Sequence, residues 1–248
     1  MKLKKRIIPI LQIHNGDLVK TKTYDINRYI GDPINAVKIF NEKEVHELVI
    51  IDIGASRKEY PIQFETLKQI SSEAFFPLAY GGGVNVMTDA EKLISSGFEK
   101  IIINTAIFEN ASFIKELVKN FGSQSIVASI DIKRNIFGND QVVIRSGTKK
   151  TQFNINDCIN YVQELGIGEI VINYINNDGQ MKGYNKQLIN EISAKCKVPV
   201  IGNCGASSYD DIYDLLKDEN VYGAAAGSVF IFFGKRNAVL INYPSKQQ

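Results

Sequence analysis

Glu47-Leu-Val-Ile50 and, 122 positions further on, Glu169-Ile-Val-Ile172 open two apolar, β-branched runs of the same shape. The same offset relates Pro77-Leu-Ala-Tyr-Gly-Gly-Gly83 to Pro199-Val-Ile-Gly-Asn-Cys-Gly205, and Phe108 to Phe230, each read as closing a strand segment. The runs from Arg6 and from Ser125 correspond at an offset of 119, which sets Gln12 against Asp131. Four correspondences in one order indicate an internal duplication. Working outward, eight such runs divide the chain: Arg6 to Ile13, Leu48 to Ile53, Pro77 to Tyr80, Lys100 to Asn104, Ser125 to Ile132, Glu169 to Asn173, Pro199 to Gly202 and Tyr222 to Ala226. They are continuously apolar rather than alternating, as in parallel strands covered on both faces, and helical patterns separate them. Two equal halves of four βα units, residues 1–122 and 123–248, predict a single (β/α)8 barrel, and 248 residues is its ordinary size. A doubly wound open sheet is the competing architecture.

Local signals mark the connections. Gly31-Asp32-Pro33 offers an N-cap with proline at the first helical position, Thr88-Asp89 and Ser207-Ser208 offer further caps, and Ser96-Gly97 and Leu165-Gly166 read as stops. Residues 135–153, with Gly138-Asn-Asp140 and Ser146-Gly147 around Gln141 to Arg145, read as a hairpin insertion. Lys2, Lys4, Lys5 and Arg6 precede an apolar run as in a secretory signal, but the run is short and holds Pro9 and Gln12, so it reads as a buried first strand. Gly223 to Phe233 is about half the length of a membrane span. The 29 Lys and Arg against 27 Asp and Glu leave no basic field for a nucleic acid. Cys158, Cys196 and Cys204, with only His14 and His46 beside them, form neither a disulfide framework nor a metal site, and no cofactor is expected. This cysteine usage suits a reducing cytoplasm.

In such a barrel the carboxyl ends of the strands carry the chemistry. Gly82 and Gly83 after the third run, with Asn104 and Thr105 after the fourth, form one candidate phosphate cradle. Gly205 after the seventh, with Gly227 and Ser228 after the eighth, forms its echo. A substrate phosphorylated at both ends, or carrying a diphosphate, would bridge them. Asp131 is the candidate acid or base, because a carboxylate among apolar strands has its pKa raised. Gln12 opposite it hydrogen-bonds but does not trade protons near neutral pH. Asp52 and Asp178, the latter beside Gly179, read as hydroxyl ligands or Asx turns, and Lys20, in a loop, as an anion contact or a solvated lysine. At the opposite end Arg6, Glu47, Lys100 and Glu169 stand at strand starts, placed to form a ring of alternating charge or plain surface pairs.

Lys5-Arg-Ile-Ile-Pro9, Gly31-Asp-Pro33, Tyr80-Gly-Gly-Gly83, Phe121-Gly-Ser-Gln124, Ile130-Asp-Ile-Lys-Arg134, Glu164-Leu-Gly-Ile-Gly-Glu-Ile170, Asp178-Gly179 and Gly227-Ser-Val-Phe230 together resemble the HisF family, the cyclase subunit of imidazole glycerol phosphate synthase. The resemblance implies a HisH-like glutaminase docked on the bottom of the barrel near Glu99 and Gln124. It implies an ammonia gate at Arg6, Glu47, Lys100 and Glu169, and catalytic groups at Asp131 and position 12. The chain departs from the pattern in three places: Gln12 replaces an aspartate, the second cradle reads Asn203-Cys-Gly-Ala-Ser207, and Arg236 to Pro244 replaces a final helix. These departures look like a HisF-like side branch that converts an acetamido to an acetamidino group on a surface-polysaccharide sugar precursor, phosphorylated or nucleotide-activated. The histidine-pathway cyclase is the first alternative, and a silent scaffold that only activates a glutaminase is the second.

Overall fold

The structure, a computed structural model, describes residues 4–234 and 236–244; Lys2 and the remaining terminal residues lie outside the described residues. Eight parallel strands form the barrel: β1 (Arg6–His14), β2 (Leu48–Asp52), β3 (Leu78–Gly81), β4 (Lys100–Ile103), β5 (Ile126–Arg134), β6 (Glu169–Tyr174), β7 (Val200–Asn203) and β8 (Val221–Ala226). Each pairs with its successor, and β8 pairs back onto β1 through Arg6↔Gly223 to Pro9↔Ala226. The sheet is therefore closed. All eight runs read from the sequence are strands, with ends differing by one or two residues.

Strand alternation sorts the side chains into two cores. Ile8, Ile10, Val49, Ala79, Ile102, Val127, Val171, Ile201 and Ala225 point inward and pack as one buried cluster. Their neighbours, among them Leu11, Leu48, Ile50, Leu78, Ile101, Ile170 and Ile172, point outward and meet the helices in a second. The helix Ala111–Phe121 shows the matching pattern, burying Phe113, Ile114 and Leu117 on one face. The side-chain carboxylate of Asp32 accepts from the Ile34 N–H ahead of Pro33, and Ser208 caps Tyr209–Leu215, as expected. Thr88-Asp89 is not a cap: the helix begins earlier, at Met87, with Val86 in the cap position. Phe108 and Phe230 lie not in strands but in the short helices Thr105–Glu109 and Ser228–Ile231 that follow β4 and β8.

Two hairpins stand on the upper rim. In one, β5 extends to Arg134 and Asp140–Ile144 folds back on it, pairing Val143 with Asp131. In the other, Asp17–Lys22 and Asp25–Gly31 follow β1, with Val19 opposite Gln12. The second corrects the reading of Lys20 as a loop residue. Asn15 and Gly16, both at positive φ, make the tight turn that sends the chain back along β1. After the short Ser228–Ile231 helix, Phe232–Phe233 pairs with Ala238–Val239, and the Tyr243 hydroxyl donates to the Ile7 carbonyl, so the tail packs on the barrel without a long final helix.

Candidate active site

Because every second residue of a strand faces the barrel axis, the residues at the strand starts meet below the inner cluster. There Arg6 pairs with Glu47 (2.5 Å) and with Glu169, and Lys100 Nζ pairs with Glu47 (3.0 Å) and Glu169 (2.8 Å). The result is a closed ring in which each cation touches both anions. Both carboxylates are buried. Burial opposes the Arg6 charge, but Glu169 and Glu47 outweigh it and hold the guanidinium above its ordinary pKa. The alternative of scattered surface pairs does not describe this geometry. Glu99 and Gln124 are exposed, Glu99 immediately before β4 and Gln124 just before β5.

Above the inner cluster the inward positions turn polar. Asp131 is 5% exposed. Its Oδ1 accepts from Tyr24 Oη (3.0 Å) and from Asn173 Nδ2 (2.8 Å). Asn173 also donates to Ser129 and accepts from Asn203, so an amide chain crosses β5, β6 and β7. Burial pushes the Asp131 carboxyl up to about 6; the Asn173 and Tyr24 hydrogen bonds pull the other way, and the Asp178 charge adds to the rise. A buried carboxylate in that range is suited to take a proton near neutrality.

Gln12 is locked. Its Oε1 accepts from Lys20 Nζ (3.0 Å) and from the Thr21 N–H (3.1 Å), while Nε2 donates to Thr21 Oγ1 (2.8 Å). Thr21 Oγ1 in turn donates to Asp178 Oδ2 (2.6 Å), which also accepts from the Tyr24 N–H. Asp178 thus ties the first hairpin to the rim. Lys20 is 4% exposed, and burial lowers its pKa against the attraction of Asp178.

A pocket opens beside this group, lined by Gln12, Lys20, Asp178, Gly179, Asn203, Cys204, Gly205, Gly227 and Ser228. The second cradle therefore shares a pocket with Gln12, Lys20, Asp178 and Asn203, and Asp131 is joined to it through the Asn203–Asn173 hydrogen bond. Gly227 leaves room there for Lys20, because a methyl group in its place would displace Nζ. Of the first cradle, Asn104 precedes the Thr105–Glu109 helix and donates from Nδ2 to the Ser129 carbonyl, and the Thr105 hydroxyl accepts from the Arg145 N–H of the second hairpin (3.1 Å). Gly82 and Gly83 have positive φ, and side chains there would strike the carbonyls of Asp52 and Ala55. The fold alone demands these glycines. Asp52 lies on the outward set of β2; it caps Ile53–Ser56 through the Ala55 N–H and accepts from Tyr60 Oη (3.0 Å). It is a structural cap, outside the group around Asp131. The sequence reading missed Tyr24, Thr21 and Asn173, and had Asn203 only as part of the second cradle; only the Asn15-Gly16 turn signal could have brought the first two over the rim.

The chain matches the model of the histidine biosynthesis protein family over residues 6–237. It belongs to that family. Relatives with HisF names cover it almost entirely. The provisionally named imidazole glycerol phosphate synthase subunit hisF3 of Vibrio vulnificus is 44% identical over 99% of this chain and 95% of its own length. The provisionally named hisF2 of Pseudomonas aeruginosa is 42% identical over 98% and 96%. The imidazole glycerol phosphate synthase subunit HisF of Alkaliphilus metalliredigens is 35% identical over 92% and 90%. The chain is thus a HisF homologue, related throughout its length to synthase subunits. Among the described residues no group of three or more His, Cys, Asp or Glu side chains is placed to hold a metal, and no helix is long and apolar enough to cross a membrane. Burial pushes the Cys158 thiol up to about 12, Cys196 up to about 11, and Cys204 well above its ordinary value, so none is held as a thiolate nucleophile in this HisF homologue.

Proposed function

We propose that the chain is the ammonia-using synthase subunit of an imidazole glycerol phosphate synthase complex, fed by a HisH-like glutaminase that docks on the lower face near Glu99 and Gln124. The observation that carries this is the alignment of the closed Arg6–Glu47–Lys100–Glu169 ring, an apolar barrel interior and a buried Asp131 along one axis. Uncharged ammonia crosses an apolar interior at low cost, whereas ammonium and other ions do not. At the upper rim the nitrogen attacks the ketone of a ribulosyl aminoimidazole carboxamide nucleotide. Asp131 takes a proton from it, and ring closure and cleavage give imidazole glycerol phosphate and a purine precursor. The two cradles would hold the two phosphoryl ends, with Lys20 near the second. With no thiolate of its own, the chain would depend on the partner for ammonia release.

Steady-state turnover of that nucleotide with ammonium salts tests the reading: product formation supports it, and silence at saturating ammonium refutes it. An Asp131→Asn variant that still stimulates the glutaminase but forms no product separates an active synthase from a silent scaffold. One observation favours a second reading, in which an acetamido sugar becomes an acetamidino sugar: position 12 holds an amide locked by three hydrogen bonds where the family's cyclase pattern has a carboxylate. The same assay with a nucleotide-activated acetamido sugar decides between the two.

A further inference from the structure

The Gln12 amide is committed on both sides, with Oε1 to Lys20 and the Thr21 N–H and Nε2 to Thr21 Oγ1, whose proton is spent on Asp178. Position 12 therefore offers the pocket no carboxyl to supply a proton, and the Asp178 carboxylate that lines the same pocket accepts from Thr21 and Tyr24. What touches Gln12 there is Lys20, on a hairpin strand and lining the pocket beside Asn203 and Gly227. Among the described residues its Nζ donates one hydrogen bond, to Gln12, and an ammonium carries three N–H groups. Two are left for a ligand. The charged and titratable groups that act on it are Asp178 and Cys204, and Cys204 in turn feels Asp131.

We propose that Lys20, held on Gln12 by the same hairpin whose Tyr24 donates to Asp131, is the proton donor of the carbonyl addition and works with Asp131 in place of a carboxyl at position 12. This rests on the reading of the substrate as a phosphorylated ketone. In the addition, the ammonia nitrogen bonds to the carbonyl carbon, Lys20 gives a proton to the carbonyl oxygen, and Asp131 takes one from nitrogen. Lys20 is then an amine and Asp131 a carboxylic acid. In the dehydration that follows, the hydroxyl leaves as water with the Asp131 proton, the imine forms, and Lys20 recovers its proton from nitrogen. Both groups return to their starting states. Burial supports the assignment by drawing Lys20 down from the ordinary lysine range as it draws Asp131 up.

The test is the pH profile of ammonium-driven kcat for wild type, Lys20→Arg and Gln12→Asp. Lys20→Arg keeps the charge but not the exchangeable proton. It should lower kcat about 100-fold with KM changed less than about threefold. Gln12→Asp, which puts an anion on Nζ, should move the alkaline limb upward by about one pH unit. A Lys20→Arg kcat within about threefold of wild type, or an alkaline limb unmoved in Gln12→Asp, overturns the proposal. If wild type does not turn over the nucleotide, the substrate reading fails. The Lys20 assignment falls with it, whereas wild-type turnover beside an unaffected Lys20→Arg overturns the Lys20 assignment alone.

Discussion

Asp131 sits between two neutral donors, Asn173 and Tyr24, inside a dry strand layer, and this placement sets both its usefulness and its cost. Its carboxyl, ordinarily near 3.8, is lifted to about 6, so the native chain holds this proton more firmly than the unfolded chain. Stability from this group is therefore complete below about pH 4 and falls as pH rises through about 6. Between pH 5 and pH 8 the loss is about 1 to 2 kcal/mol. Thermal unfolding of Asp131→Asn should accordingly gain on wild type by that amount between those two pH values, while turnover falls about 100-fold or more. Wild-type turnover should decline below about pH 6 as the carboxylate is protonated. Asp131 was legible in the sequence because it closes an apolar run opposite Gln12 across the duplication. Its partners were not, since Asn173 reads as the end of an ordinary strand and Tyr24 reaches Asp131 only through a turn far away in sequence.

At the scale of elements, the first hairpin covers the rim and is fastened to Gln12, Asp131 and Asp178. Asp178 receives Thr21 Oγ1 and the Tyr24 N–H, and its carbonyl receives the Thr23 N–H. Thr21→Val removes a buried donor and leaves Asp178 and Gln12 short of partners, at a cost of about 1 to 3 kcal/mol. Amide hydrogen exchange should then accelerate across Asp17–Gly31 and leave β2 to β4 unchanged; uniform protection would argue against this fastening. Gly227→Ala should displace Lys20 and lower kcat more than it changes KM, with little effect on folding, since Lys20 Nζ is the far end of a flexible side chain. The eight strands were readable because runs buried on both faces are continuously apolar. The first hairpin was not, because Asp17-Leu-Val-Lys-Thr-Lys22 carries two lysines and buries Lys20 against expectation through polar partners rather than apolar surface.

On the scale of the whole molecule, the duplication gives a barrel with two unlike ends. The lower end is closed by four charges that satisfy one another, and the upper end by amides and carboxylates around a pocket. Ring membership could be anticipated from strand starts, but closure could not, because whether four side chains meet depends on strand tilt and register. Breaking one member leaves buried carboxylates short of a cation, so Lys100→Met should destabilise the chain by about 3 kcal/mol or more. In the proposed function ammonia travels from this ring to Asp131. That route is tested most directly by the ratio of glutamine hydrolysed to product formed when Lys100→Met is paired with its glutaminase, beside turnover driven by ammonium salts. The ratio should be near one for wild type and well above one for the variant, with ammonium-driven turnover nearly unchanged. A variant that stays fully coupled would contradict it.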